Sequence, residues 1–210
     1  MIQVEPIIYP APIHKFLFYI NHFAKDVEKK VLDCGAGGKT PPLGLFHDYG
    51  YETHGIDISE EQIKLAEEFS QENGMKLNLK QSDMQELPYE DESFGFIYSY
   101  NTIFHLLKKG TRKAISEVRR VLKKGGLFYV NFMTFDDGYY GEGKELGKGE
   151  FVLLNDDGSE RYRLFLEDHL EAAEFFDGWE IILLENRHIR LPTLWKDYEA
   201  SYIDCIVKKI

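Results

Sequence analysis

Val31-Leu32-Asp33-Cys34-Gly35-Ala36-Gly37-Gly38-Lys39 reads as an apolar strand that ends in an acid and turns through closely spaced glycines. Glycine has no Cβ to hold a ligand away from the backbone and tolerates positive φ, so Gly35 and Gly37 suit a turn that meets a bound group at close range. A purely structural β-to-α turn of another doubly wound protein satisfies the same spacing. The flanking sequence decides between these readings.

Downstream, apolar β-rich runs alternate with helical patterns to about residue 132, the signature of parallel βαβ units. Strands are predicted over 31–33, 51–57, 76–81, 95–99 and 126–132. Ser59, with Gln62 three residues later, makes a capping box that starts a helix ended by Gly74. Its stripe of Ile63, Ala66 and Phe69, with Leu65 beside it, faces the sheet while Glu60, Glu61, Lys64, Glu67 and Glu68 face water. A second helix is predicted from about Thr111, burying Ala114, Ile115, Val118, Val121 and Leu122, before Gly125 and Gly126 turn the chain into the fifth strand.

Beyond residue 132 the character changes. A Gly-rich acidic stretch over 136–150 and a hairpin over 151–166 around Asp156-Asp157-Gly158 read as a lid. A helix near 167–176 follows, then strands over 179–184 and 201–207 as an antiparallel pair closing one edge. The 210 residues are read as a single domain in four parts: an N-terminal helical cap (1–30), a core (31–132), the lid (133–166), and a C-terminal helix with edge strands (167–210).

With 43% hydrophobic and 29% charged residues the composition is that of an ordinary globular protein. The formal net charge of -11 argues against nucleic acid and anionic membrane as partners, because phosphates are repelled at long range. The two cysteines, Cys34 and Cys205, are too few for a disulfide-stapled secreted domain and read as reduced thiols. His22, Asn21 and Lys15 interrupt or flank the apolar stretch 16–23, and no targeting or membrane-spanning segment is read. A cytoplasmic monomer or homodimer is expected, with no metal site.

Asp57 closes the second strand twenty residues after Gly37, where a carboxylate can accept both ribose hydroxyls of a nucleoside. A helix N-terminal aspartate stabilised by the dipole gives the same pattern, so Asp57 does not choose among nucleosides. The segment Ser82-Asp83-Met84-Gln85-Glu86-Leu87-Pro88-Tyr89-Glu90-Asp91-Glu92-Ser93-Phe94 does. Together with the glycine turn it resembles the class I S-adenosylmethionine-dependent methyltransferases, in particular the type 11 group that includes the ubiquinone/menaquinone C-methyltransferases. Arg119-Arg120-Val121-Leu122-Lys123-Lys124-Gly125-Gly126 is similar to that family's turn into strand five. The chain departs from the pattern at Lys39, where a third glycine is common, at Gly95, where an aspartate is often found, and at Lys124, where proline is usual.

The resemblance implies a Rossmann-like α/β fold: a mostly parallel seven-stranded sheet with an antiparallel edge strand and helices on both faces. It implies S-adenosyl-L-methionine as cofactor and a small-molecule acceptor as partner. Carried over, the cofactor contacts are Asp33, Cys34, Gly35, Ala36 and Gly37 in the first turn, and Asp57, Ile58 and Gln62 after strand two. Ser82, Asp83 and Met84 follow strand three, with Asp83 accepting from the adenine amine and Met84 packing on the ring. Ser99 and Tyr100 at the end of strand four complete the set. Methyl transfer from a sulfonium needs positioning more than acid–base groups, so no catalytic dyad is expected. His105 is the candidate base for an acceptor that must lose a proton, against a structural role in the turn. A noncatalytic cofactor-binding protein is the alternative. An NAD-dependent oxidoreductase is disfavoured because Lys39 and Thr40 break the complete G-x-G-x-x-G.

Overall fold

The computed structural model describes residues 7–192 and 197–210, so the first six residues of the cap expected over 1–30 lie outside it. Five parallel strands form the centre: β1 (Lys30–Cys34), β2 (Glu52–Asp57), β3 (Leu79–Gln81), β4 (Phe94–Ser99) and β5 (Leu122–Thr134), in the order β3-β2-β1-β4-β5. The chain builds outward from β1 on one side and then returns to build on the other, so the topological switch point lies between β1 and β4. Crevices at the carboxyl ends of strands at such a point are where α/β sheets bind ligands. Register sets Cys34 beside Ile56, and Asp33 beside Gly55 on one side and Tyr98 on the other.

β9 (Trp179–Pro192) and β10 (Asp197–Lys209) form the antiparallel pair at one edge, with β10 against β5 and β9 outermost. Both run longer than the sequence pattern predicts. These seven strands form the mixed, mostly parallel sheet of a Rossmann-like α/β fold.

Side-chain alternation separates two cores. Leu127 and Tyr129 of β5 join one cluster, while Phe128, Val130 and Phe132 join the other. On the first face lies α1 (Ala11–Phe23), whose fully buried Phe16 meets Phe46, Tyr98 and Tyr129 at ring-centroid distances of 6.2, 6.3 and 5.7 Å. Phe46 belongs to the short α2 (Leu43–Asp48), and Phe69 of α3 (Glu60–Glu72) packs into the same cluster. On the second face lies α4 (Lys108–Val121), through Ala114, Ile115, Val118 and Val121, with α5 (His169–Ala173) beyond it. No helix among the described residues is long and apolar enough to cross a membrane.

Ser59 caps α3, accepting from the Gln62 backbone N–H at 3.3 Å. α4 begins at Lys108, three residues before the predicted start, because its cap comes from elsewhere: the Lys108 N–H donates to the Glu150 carboxylate at 2.7 Å. β5 begins directly at Leu122, and Gly125 and Gly126 lie within it at a break in pairing with β4. Gly95 has a steric reason. A Cβ there would lie 2.1 Å from the Glu28 carbonyl oxygen, so any larger residue would push the strand away from that loop.

The expected hairpin is β7 (Glu150–Leu154) with β8 (Glu160–Leu166), to which β6 (Lys144–Gly147) adds a third antiparallel strand. The end of β8 continues past β4 onto β5, pairing Met133 with Phe165 and Thr134 with Leu166. That junction hangs the hairpin over the carboxyl edge of the parallel sheet.

Candidate functional site

A cleft of about 1090 Å³ opens at the carboxyl ends of β1, β2, β3 and β4, with the β7–β8 loop as its remaining wall. The first turn is tied down by backbone bonds: the N–H groups of Gly35 and Ala36 both donate to the Ile56 carbonyl, at 2.8 and 2.9 Å, and the Gly38 N–H donates to the Gln62 carbonyl at 3.0 Å. Gly35 has φ of 119°, and a Cβ on it would lie 2.0 Å from Thr102 Oγ1. Only glycine lets the turn and the segment after β4 approach this closely.

Asp57 accepts the Gly37 N–H on Oδ2 at 3.2 Å and the Ser59 N–H on Oδ1 at 2.9 Å. An ionised carboxylate has about four acceptor positions, so two remain for a ligand in the cleft. Asp83 accepts the Gln85 N–H at 2.8 Å on Oδ1, and the Gln85 amide approaches both oxygens at 3.4 and 3.2 Å. Its loop is pinned from behind. Glu117 accepts the Leu87 N–H at 2.9 Å, and Arg120 donates to the Leu87 and Tyr89 carbonyls at 2.9 and 2.7 Å.

After β4 the chain passes Asn101, which adopts φ of 56°. Its N–H donates to Asn131 Oδ1 and its own Oδ1 accepts from Asn131 Nδ2, both at 2.8 Å. This reciprocal pair locks the ends of β4 and β5 together and presents Thr102, His105 and Leu106 to the cleft.

Of the residues expected from sequence, Cys34, Gly35, Asp57, Ile58 and Gln62 line the cleft, as do Ser82, Asp83, Met84 and His105. Asp33, Ala36, Gly37, Ser99 and Tyr100 do not. Asp33 and Ser99 are buried directly behind the wall, with Asp33 Oδ2 and Ser99 Oγ lacking a hydrogen-bond partner among the described residues. Burial pushes the Asp33 carboxyl up to about 8, against the opposing pull of the Tyr98 hydroxyl beside it, while Asp57 adds to the rise. Burial also pushes the Cys34 thiol well up, so it is a neutral thiol with no nucleophilic character at pH 7. Cys34 and Cys205 are both free and buried.

Sequence reasoning missed Ile56, Ser59, Asn101, Thr102 and Leu106, and it read the hairpin as a lid without naming Asn155 or Ser159 to Tyr162 as residues of the cleft. The first group lies within one or two positions of a residue that was found. The hairpin residues carry no local motif; their place is set by the β5–β8 junction.

Residues 32–130 match the family model described as a methyltransferase domain. Across nearly the whole chain, the fold superposes on the SAM-dependent methyltransferase of Methanosarcina mazei with a TM-score of 0.74, covering 97% of this chain and 99% of that one at 23% identity. Residues 32–130 are thus a methyltransferase domain, and the chain as a whole has the class I S-adenosylmethionine-dependent methyltransferase fold. The uncharacterized methyltransferase YcgJ of Bacillus subtilis (strain 168) is 37% identical over 104 residues, which are 49% of this chain and 40% of YcgJ. The sterol 24-C-methyltransferase ERG6B of Gibberella zeae is 30% identical over 155 residues, 73% of this chain and 40% of that protein. The chain thus matches about two fifths of the length of these curated relatives.

The methyltransferase cofactor is tested by the cleft itself. An adenosyl group with an amino-acid tail needs a floor free of Cβ atoms, acceptors for vicinal hydroxyls and an exocyclic amine, and a negative group for an ammonium. Gly35 supplies the floor, Asp57 and Asp83 the acceptors, and the orphaned Oδ2 of Asp33 lies behind the turn. The residues present fit S-adenosylmethionine.

Proposed function

We propose that this chain transfers a methyl group from S-adenosylmethionine to a small-molecule acceptor held in the cleft between the β4 end, the β5 end and the β7–β8 loop. The observation that carries the reading is the presence of Asp57 and Asp83 on one cleft whose floor is the Gly35 backbone. Asp57 would hold the ribose hydroxyls and Asp83 the adenine amine, with Ile58 and Met84 against the ring and Gln62 and Ser82 at its rim. Cys34, Gly35, Ala36 and Gly37 would offer backbone to the amino-acid tail, Asp33 would balance its ammonium from behind, and Ser99 and Tyr100 would contribute backbone near the sulfur.

The cofactor supplies an activated methyl group on a sulfonium. What remains for the protein is to align acceptor, carbon and sulfur and to keep water away, a positioning effect that can be worth roughly 7–11 kcal/mol. The bonds that hold the turn, the Asp83 loop and the Asn101–Asn131 pair serve that end by fixing three walls of the cleft independently of the ligand. The β7–β8 hairpin acts as the lid on the remaining side. The acidic chain would act on a small molecule rather than on nucleic acid or membrane, in the cytoplasm, as a monomer or homodimer.

Calorimetry with S-adenosylhomocysteine tests binding, and release of S-adenosylhomocysteine in an acceptor screen tests transfer. Binding without turnover on any acceptor would favour the noncatalytic reading. Absence of binding at millimolar ligand would end both.

A further inference from the structure

On the wall where the turn after β4 meets the hairpin, His105 lines the cleft and its Nδ1 lies 3.3 Å from the Tyr162 carbonyl oxygen. A carbonyl oxygen can only accept, so Nδ1 carries the hydrogen and the neutral ring has its lone pair on Nε2. Nothing among the described residues hydrogen-bonds Nε2. Arg161, next to Tyr162, also lines the cleft. Its neighbour on the same strand face, Arg163, is engaged by Glu142 at 2.9 Å and lies over the Tyr139 ring at 4.2 Å. Arg161 has no ion-pair partner among the described residues. The cleft therefore holds a fixed imidazole acceptor beside an uncommitted cation, in a chain whose net charge is -11.

We infer that, within the methyl transfer proposed above, His105 is the catalytic base and Arg161 holds the acceptor's anionic group, so that the acceptor is a small phenolic acid methylated on its hydroxyl oxygen. A thioether nucleophile has no proton to lose and would leave Nε2 without a role, and an ammonium acceptor would be repelled by Arg161. A carbon acceptor must also shed a proton, so methylation at a ring carbon instead of the hydroxyl would overturn the oxygen assignment. An aliphatic alcohol is too weak an acid for imidazole, whereas a phenol titrates near 10 and lies within reach of general-base catalysis. As the phenolic O–H bond breaks, its proton passes to Nε2 and the oxygen's electron pair forms the new bond to the methyl carbon. The carbon–sulfur pair stays on sulfur, which becomes a neutral thioether, and the imidazolium then returns its proton to solvent.

Tyr162, Arg161 and Arg163 of β8 act directly on His105, and Glu160 of β8 with Asp57 and Asp83 of the other walls line the same cleft. Desolvation where the ring packs against the hairpin lowers the His105 pKa, Arg161 and Arg163 push in the same direction, and the bond to the Tyr162 carbonyl opposes them. The ring is thus neutral and able to accept at pH 7.

The test uses 3- and 4-hydroxybenzoate with the matched neutral 3- and 4-methylphenol, on the wild type, His105→Gln and Arg161→Gln, with S-adenosylhomocysteine affinity measured for each protein. Methylation of the hydroxybenzoate hydroxyl is expected, with kcat/KM at least about tenfold above the methylphenols. His105→Gln should lower kcat by about 10²-fold or more with unchanged S-adenosylhomocysteine affinity, and should remove the fall in kcat/KM that the wild type shows below the His105 pKa. Arg161→Gln should raise KM about tenfold for the hydroxybenzoates and leave the methylphenols unchanged. The inference is overturned if a protein that binds the cofactor methylates neither hydroxybenzoate or prefers the methylphenols. It is overturned equally if His105→Gln keeps full kcat, or if Arg161→Gln weakens S-adenosylhomocysteine binding instead. A wild type that fails to bind S-adenosylhomocysteine would defeat the methyl-transfer reading itself, a separate outcome.

Discussion

The Gly37 N–H donates to Asp57 Oδ2 at 3.2 Å, so the turn after the first strand is latched to the end of the second by the carboxylate assigned to the ribose. The same oxygen would lie 2.6 Å from a Cβ at Gly37, and Gln62 Cβ would lie 2.5 Å from it. Asp57→Ala should therefore weaken S-adenosylhomocysteine binding by about 1.5–3 kcal/mol, the range for hydrogen bonds to a charged group. Gly37→Ala should weaken it as well, by displacing Asp57. Calorimetry at constant salt decides, and wild-type affinity in Asp57→Ala would remove Asp57 from the site.

Arg120 lies on α4, outside the cleft, yet it organises the loop that carries Asp83. It donates to both oxygens of Glu117, at 2.9 and 2.8 Å, to Asp91 at 2.9 Å, and to the Leu87 and Tyr89 carbonyls. Arg120→Ala should cost about 1–3 kcal/mol in urea unfolding by leaving these acceptors unpaired, and should also raise the S-adenosylhomocysteine Kd. Arg120→Lys cannot make the same fork of bonds and should recover only part of the affinity. Stability loss with unchanged Kd would show that the loop holds its shape without the arginine.

The parts of this molecule legible in sequence are those whose cause is local. The glycine turn, the Ser59 cap and the Ile63, Ala66 and Phe69 stripe each depend on residues within a few positions of one another. The start of α4 was misjudged because its cap, Glu150, lies 42 residues away. β6 was hidden in a stretch of glycines and charges because pairing with β7, not side-chain alternation, makes it a strand. α2 is a six-residue helix after Pro41 and Pro42, too short to show a period. The hairpin is legible as a lid, but which of its residues wall the cleft is not, since two residue pairs at the β5–β8 junction set its place.

Asp204 on β10 is 1% exposed and accepts Arg187 Nε at 2.6 Å, Arg187 Nη2 at 3.0 Å and the Tyr129 hydroxyl at 3.0 Å. Asp204→Ala leaves a largely buried guanidinium without its partner and should destabilise by about 3–5 kcal/mol. Tyr129→Phe removes one hydrogen bond and should cost about 0.5–1.5 kcal/mol. Urea unfolding gives both values. Comparable effects for the two variants would mean that the ion pair contributes little beyond one hydrogen bond.

Asp33 gives stability and binding opposite requirements. Its carboxyl titrates at the ordinary 3.8 when unfolded and is pushed up to about 8 in the fold, chiefly because it is buried. Between those values the native state keeps a proton that the unfolded chain has released. The contribution is therefore full below about 3.8 and is lost as pH rises through about 8. Asp33→Asn keeps the shape and removes the charge to be desolvated, so its stability should be flatter over that window. At pH 8.5 it should exceed the ligand-free wild type by a few kcal/mol at most. An ammonium bound beside Asp33 reverses the preference, because the ionised form then has a partner. Cofactor binding should accordingly release a proton near neutral pH, and Asp33→Asn should bind S-adenosylhomocysteine more weakly despite its greater stability. Urea unfolding at pH 5 and 8.5, with calorimetry in two buffers of different ionisation enthalpy, measures both. Parallel pH profiles for the two proteins would show that Asp33 is already ionised in the fold, and equal affinities would show that it does not sense the ligand.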